Sequence, residues 1–247
     1  MRLSLENIHF SIPGREKPIL ENVSLAIYPN DFVIVLGSNG SGKSSLLKAI
    51  NGLSIPTAGK ITLNGNDITE QPIHKRAQSI ITLTQDLQLS TFSQLTILEN
   101  CLIARLRNRR TSFAVSVKKQ REEIRTYLGT YSGKLALALD ESVSSLSGGE
   151  RQTLALAMSL YEPPSLLLLD EHTSALDPAM ATKLMGLTGE KAQKQAITTL
   201  MITHNLEDAL SYGNRLIVMR HGRLIHDFRG ADKEALTHAD LLSYYTA

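Results

Sequence analysis

Cysteine is almost missing from this 247-residue chain, where Cys101 stands alone. No internal disulfide framework can form, and a reducing compartment is the natural setting. An excess of one charge is missing as well. The 26 basic and 24 acidic side chains leave a net +2, which excludes a polycation built to coat DNA and an acidic tail. No nucleic-acid partner is expected. Long apolar runs are absent too, and nothing approaches the ~18 residues that span a bilayer. The opening MRLSLENIHF is too polar to serve as the apolar core of a signal peptide. Internal repeats, low-complexity tracts and sustained heptads are lacking. The expectation is a soluble, cytosolic protein that meets a membrane only through a partner.

What is present is enough chain for one substantial core or two subdomains. Four short runs rich in Ile, Val and Leu stand out: FVIVL (32–36), SIITL (79–83), SLLLL (165–169) and AITTLMI (196–202). Unalternating runs of this length read as strands buried on both faces, as in a parallel sheet. Helical stretches at 44–51, 149–161 and 178–195 lie between them, so the pattern is βα. Polar residues punctuate the runs: Gly37, Gln85, Asp170 and His204. Ligands gather beyond the carboxyl ends of parallel strands, so these four marks predict one site. The N-terminal third differs. Its segments 3–12, 18–28 and 59–68 alternate and are broken by Pro13-Gly14, Pro29-Asn30 and Asn64-Gly65, which predicts antiparallel strands. A further hairpin is predicted over 215–228, turning at His221-Gly222. From about 87 to 145 helix formers dominate, which predicts an inserted helical subdomain.

GSNGSGKS, Gly37 to Ser44, fits G-x-x-x-x-G-K-[ST] at every fixed position. It follows a buried run and opens a helical one, the context this motif requires. Glycines let backbone N–H groups wrap phosphates; Lys43 supplies a point charge and Ser44 a ligand for Mg²⁺. LLLLDE adds Asp170, placed to hold Mg²⁺ through water, and Glu171, placed to polarise an attacking water. His204 and Gln85 are weak signals alone and gain meaning from the shared sheet edge. SSLSGGERQ (144–152) looks like a second phosphate cradle, with paired glycines and a serine ahead of a helical run.

Taken in order, GSNGSGKS, Gln85, LSGGERQ, LLLLDE, SALD and His204 resemble the ATP-binding subunit of an ABC (ATP-binding cassette) transporter, over essentially the whole chain. The resemblance implies an α/β fold of the P-loop NTPase (RecA-like) kind. A parallel core sheet would carry an N-terminal antiparallel β subdomain and an inserted α-helical subdomain. Residues 1–85 and 163–247 would form the core, and 86–162 the helical part with the signature LSGGE. The implied cofactors are ATP and Mg²⁺. Gly37, Ser38, Asn39, Gly40, Ser41, Gly42, Lys43, Ser44 and Ser45 would surround the nucleotide. Ser44, Gln85 and Asp170 would surround the metal, and Glu171, His204, Lys43 and Gln85 would serve hydrolysis. Family members pair head to tail, which accounts for two cradles in one chain. Ser147, Gly148 and Gly149 of one copy would close over ATP held by the other, with Asp177 of SALD at the contact. Phe10 matches the aromatic that stacks on adenine, and equally suits a core position.

The resemblance also implies partners: a second copy of the subunit, transmembrane permease subunits and a separate solute-binding protein. The chain would then sit on the cytoplasmic face of the inner (cell) membrane. The flavour of DEHTSALDP is that of bacterial amino-acid import systems; an ATPase for lipid or lipoprotein extraction, or for export, is the alternative. Two features depart from the common pattern or stand outside it. His172 follows Glu171 where the family usually has proline, which frees the backbone and sets a titratable group beside a carboxylate. Arg105, Arg107, Arg109, Arg110, Lys118, Lys119, Arg121 and Arg125 face only Glu122 and Glu123. That excess reads as a solvated helix face with a loop at 108–112, or as a patch for anionic headgroups.

Overall fold

The computed structural model describes residues 1–14, 16–86, 90–106 and 117–246. The chain divides into two units, one of Met1–Thr82, Ser165–Glu171 and Lys191–Ala247, the other of Leu83–Pro164 and His172–Glu190. The segment 172–190 therefore groups with the helical residues, where the resemblance implies that 163–247 belongs with the core. The close approach of Met180 to Gly149 is one physical reason: a β-carbon on Gly149 would stand 2.5 Å from Met180 Cγ.

The first unit carries two sheets. In the smaller, β1 (Leu3–Phe10) is flanked by β2 (Leu20–Ile27) and β4 (Ala58–Leu63), with β5 (Asn66–Asp67) outside β4, all antiparallel. The Asn64-Gly65 turn has both residues at positive φ, 52° and 81°, as a two-residue hairpin demands. In the larger, β3 (Phe32–Leu36), β6 (Ile80–Thr84), β7 (Leu166–Asp170), β8 (Thr199–Ile202), β9 (Arg215–Arg220) and β10 (Arg223–Arg229) take the order β10-β9-β3-β8-β7-β6. The pairs β9–β3, β3–β8 and β8–β7 are parallel, and β10 returns antiparallel on β9. Val33–Leu36 and Leu166–Leu169 are fully buried, which is why these strands lack alternation. β8 starts three residues later than its apolar run. Ala196 takes φ 52°, and Ala196 and Ile197 donate back to Gln193 and Ala192; the run's first residues close a helix.

Helices α1 (Lys43–Asn51), α2 (Ile73–Arg76), α8 (Leu206–Ser211), α9 (Ala231–Glu234) and α10 (His238–Thr246) belong to this unit. The second unit holds α3 (Ile97–Arg105), α4 (Val117–Gly129), α5 (Gly133–Leu137), α6 (Gly148–Leu160) and most of α7 (Pro178–Lys194). Thr96 and Ser147 cap α3 and α6 in reciprocal capping boxes with Glu99 and Glu150, each about 1 kcal/mol in stability. Among the described basic residues, Arg105 pairs with Glu123 at 3.2 Å, Arg125 with Glu122 at 2.7 Å, and Arg121 with Asp140. The surface excess foreseen for a headgroup patch is therefore partly neutralised within the unit. Arg107, Arg109, Arg110 and the expected loop at 108–112 lie outside the described residues.

Arg76 anchors α1 from behind. It is 1% exposed, and its guanidinium donates to the carbonyls of Ala49 and Ile50 in the last turn of α1, at 2.7 and 2.8 Å. It also donates to Gln71 and Thr69, both at 2.8 Å. A cation at a helix carboxyl end complements the dipole. Gly52 makes room: at φ 86° it ends α1, and a β-carbon there would lie 2.9 Å from Arg76 Nε. Arg76→Met keeps bulk but orphans two buried and two part-buried acceptors. It should lower the unfolding free energy by at least about 3 kcal/mol, read from the urea midpoint at constant m-value.

Candidate functional site

The carboxyl end of β3 runs directly into the glycine loop. At Gly37 a β-carbon would stand 2.3 Å from the Met219 carbonyl oxygen of β9 and 2.8 Å from Ser41 Oγ; only glycine fits. At Gly42 φ is 103°, and a β-carbon would stand 2.9 Å from the Ile19 carbonyl. Gly42 is also the N-cap of α1, and no side chain caps that helix. The first-turn N–H groups of α1 lack intrahelical acceptors, so they face the cleft with the helix dipole behind them. Lys43 is buried and donates to the carbonyls of Gly37 at 2.7 Å and Ser38 at 3.0 Å. Burial lowers its ammonium pKa, opposed by Glu171 and Asp170. Ser41 Oγ is buried with no hydrogen-bond partner among the described residues. An orphaned hydroxyl inside an uncapped, glycine-lined loop is what a phosphate oxygen satisfies.

This loop lines a cleft of about 880 Å³ with Lys17–Ile19, Glu21, Glu171 and the β9–β10 turn. Ser44 is exposed at its floor and Ser45 half-buried, while Ser38, Asn39 and Gly40 form the outer curve of the loop. Phe10 pairs with Leu20 in the β1–β2 register and packs, half-buried, against the core cluster. The cleft wall nearest it in that pairing is Ile19.

Asp170 ends β7 and Glu171 follows it. Burial pushes the Asp170 carboxyl up and Glu171 adds to this, while Lys48 and Lys43 pull it down. Glu171 has φ 49°, a left-handed conformation of the kind stored at functional sites. Its carboxylate lies 3.3 Å from His204 Nδ1, just past β8. Sequence order placed these groups at strand ends, and the structure brings Lys43, Asp170, Glu171 and His204 together within the first unit. Among the described residues no three His, Cys, Asp or Glu gather to hold a metal. A Mg²⁺ here would take phosphate oxygens and water for most of its ligands, with Asp170 and Ser44 supplying protein oxygens.

In the second unit Gln85 is exposed directly after β6. Ser147 Oγ accepts from Glu150 N at 3.3 Å, and Glu150 accepts from Ser147 N at 2.9 Å. Glu150 is drawn down to about 2, first by Lys134 and then by the Ser147 N–H. Capping uses an Oγ lone pair of Ser147, and its hydroxyl also bonds the Glu150 carboxylate. A β-carbon on Gly148 would meet nothing within 4 Å, so this helix start is open to an incoming anion. Asp177 caps α7 by accepting from Met180 N at 3.0 Å. His172 is 3% exposed, its ring hydrogen-bonded to Thr188 Oγ1 at 3.2 Å, and burial holds its pKa down to about 4. It is a neutral packing residue on the helical side.

Sequence reading missed the wall of the cleft: Lys17, Ile19, Glu21, Arg220 and Arg223. The cations flanking His221-Gly222, a turn at the edge of the same sheet, were the available signal.

A family model described as ABC transporter matches residues 20–174. The chain is 38% identical over 246 residues to the tyrosine transport ATP-binding protein of Clostridioides difficile (strain R20291), covering 98% of each. It is 32% identical to the phosphonates import ATP-binding protein PhnC 1 of Ruegeria sp. (strain TM1040), over 94% of this chain and 90% of that one. Among solved structures it resembles the ATP-binding cassette MJ0796, a dimer in a post-hydrolysis state bound to ADP and Pi. The TM-score is 0.77 at 26% identity, over 92% of this chain and 98% of that one.

Because its folded pKa is raised, ionised Asp170 opposes folding, and that penalty appears as pH rises through the carboxylate range. Asp170→Asn should therefore be more stable than wild type without nucleotide at pH 7, and the gap should shrink toward pH 3. Thermal unfolding of both proteins across that range checks the sign.

Proposed function

We propose that this chain, which belongs to the family of ABC transporter ATP-binding subunits, powers solute import through a separate transmembrane permease. As a member of that family it is an ATPase that binds ATP. The observation that carries the site assignment is the buried, unpartnered Ser41 Oγ in a glycine loop that opens an uncapped helix, beside Asp170, Glu171 and His204. In this reading, N–H groups of Gly40–Ser45 and the Lys43 ammonium hold the phosphates. Glu171 orients the attacking water, and His204 steadies that carboxylate and reaches the γ-phosphate. Asp170 and Ser44 would hold the metal, a role the family resemblance also gives to Gln85. Bound Mg²⁺ would supply charge to offset that developing on the phosphates.

Ser147, Gly148 and Gly149 of a second copy close the site, and Asp177 lies at that contact. The open approach to Gly148 supports this, as does a dimeric neighbour holding ADP and Pi. No helix among the described residues is long and apolar enough to cross a membrane. In this reading the permease is a separate chain and this subunit docks on it at the cytoplasmic face of the cell membrane. Exposed Phe92, Ile103, Leu106 and Leu137 in the second unit offer the apolar surface for it. One relative is a tyrosine transport ATP-binding protein matched over 98% of this chain, which favours an amino acid as cargo. Another is a phosphonates import subunit, which favours import, with a separate solute-binding protein, over the export alternative.

Glu171→Gln should cut ATP turnover at least about 100-fold while binding ATP. In solution its mass should shift from one copy to two on adding ATP. Turnover at the wild-type rate would remove Glu171 from its role. Lys43→Ala should lose nucleotide binding altogether, and intact binding there would sink the cradle assignment.

A further inference from the structure

We propose that Arg220 is a nucleotide-positioning residue, its guanidinium binding the polyphosphate from the flank of the glycine loop opposite the catalytic carboxylates. The inference rests on the reading of Gly37–Ser45 as a nucleotide cradle and extends it to a residue outside the motif.

The sheet order sets the geometry. β3 delivers the loop, with β8 and β7 on one side and β9 on the other. His204, Asp170 and Glu171 end the strands on the first side. On the second, the β9 register stops at Val218 opposite Leu36, and Arg220 lies two residues further on, where the loop has begun. The Met219 carbonyl against Gly37 fixes that proximity. The turn after Arg220 is bonded to the loop: Gly222 N donates to the Ser41 carbonyl at 2.9 Å, and Glu21 N donates to the Gly222 carbonyl at 2.9 Å. His221 and Gly222 both take positive φ, 48° and 76°, and a β-carbon on Gly222 would strike the Ile19 carbonyl at 2.4 Å. Arg220 is thus held on a strand end whose position relative to the phosphate cradle is rigid.

Charge accounting narrows the choice, since Lys17, another cleft cation without a partner among the described residues, is exposed. Lys43 already donates to two loop carbonyls, and Arg223 is paired with Glu21 at 2.5 Å. Arg220 lines the same cleft, half-buried, with no hydrogen-bond or ion-pair partner among the described residues. A planar guanidinium held there suits phosphate oxygens.

The test compares the full chain with Arg220→Gln and Arg220→Lys. It reads the affinity for ATP and ADP, competition by inorganic tripolyphosphate, and steady-state turnover. Arg220→Gln should weaken ATP, ADP and tripolyphosphate alike by about 5- to 20-fold, less so as salt rises. KM should climb with Kd while kcat holds within about twofold, the pattern of lost uniform binding. Arg220→Lys should recover part of the loss, since charge stays and the fork goes. Unchanged ATP and tripolyphosphate affinity in Arg220→Gln overturns the proposal. Equal losses in both variants with a lowered melting temperature also overturn it, marking Arg220 as a packing residue. Lys43→Ala separates the two readings: if it still binds ATP, the cradle itself is wrong, and if it does not while Arg220→Gln binds normally, only the role of Arg220 fails.

Discussion

The uncapped first turn of α1 is the constraint around which the first unit is arranged. Leaving its N–H groups without a side-chain acceptor is unfavourable in an empty protein, and most helices avoid it with a serine, threonine or aspartate. Here the N-cap is Gly42, held at positive φ by the closeness of Ile19 and the β9–β10 turn. A side chain there would satisfy the helix and close the phosphate cradle. The opposite end of the same helix is over-satisfied, with Arg76 donating into its last carbonyls from a fully buried position. One end is fixed by a cation the protein owns, and the other is left for an anion it must acquire.

The sheet converts that local arrangement into a site. Parallel β9, β3, β8 and β7 bring four carboxyl ends to one edge. Each end contributes a different chemistry: a cation, an N–H cradle, an imidazole and a pair of carboxylates. The buried strands of β3 and β7 have no freedom to slip register, because every residue of Val33–Leu36 and Leu166–Leu169 is packed on both faces. The glycine loop and the carboxylate pair therefore follow directly from fully buried stretches of strand. This matters because positioning supplies most of the catalysis in phosphoryl transfer.

Much of this was legible in the residues. The unalternating runs located β3, β6 and β7 to within a residue, since double-sided burial leaves a continuous apolar signature. The glycine loop could be read because its glycines and lysine are each demanded by backbone geometry and charge. Less legible was anything set by contact between segments far apart in the chain. Segment 172–190 falls with the helical unit because Met180 meets Gly149, and no local pattern announces that. His172 looked like a titratable neighbour of Glu171; one residue further along the chain was enough to turn it into a buried partner of Thr188. β8 began late because Ala196 closes α7 in a left-handed conformation that glycine usually supplies.

Strain and unsatisfied polarity collect at the cleft in a way that follows from its task. Glu171 is held in a left-handed backbone conformation, burial and Glu171 push the Asp170 carboxyl up, and Ser41 Oγ has no partner among the described residues. Each is unfavourable in the empty protein, and an anion with its metal would relieve the last two. Compensation lies elsewhere in the same unit. Arg215, 2% exposed, grips Asp227 with two bonds of 2.6 and 2.7 Å and donates to the Ala26 carbonyl at 2.6 Å, tying β9, β10 and β2 together. The β9–β10 hairpin is thereby fixed at its far end by Arg215 and at its turn by the bond from Gly222 to Ser41. A wall held at both ends keeps a fixed position beside the glycine loop, so the loop's geometry is set by bonds made far from its own residues.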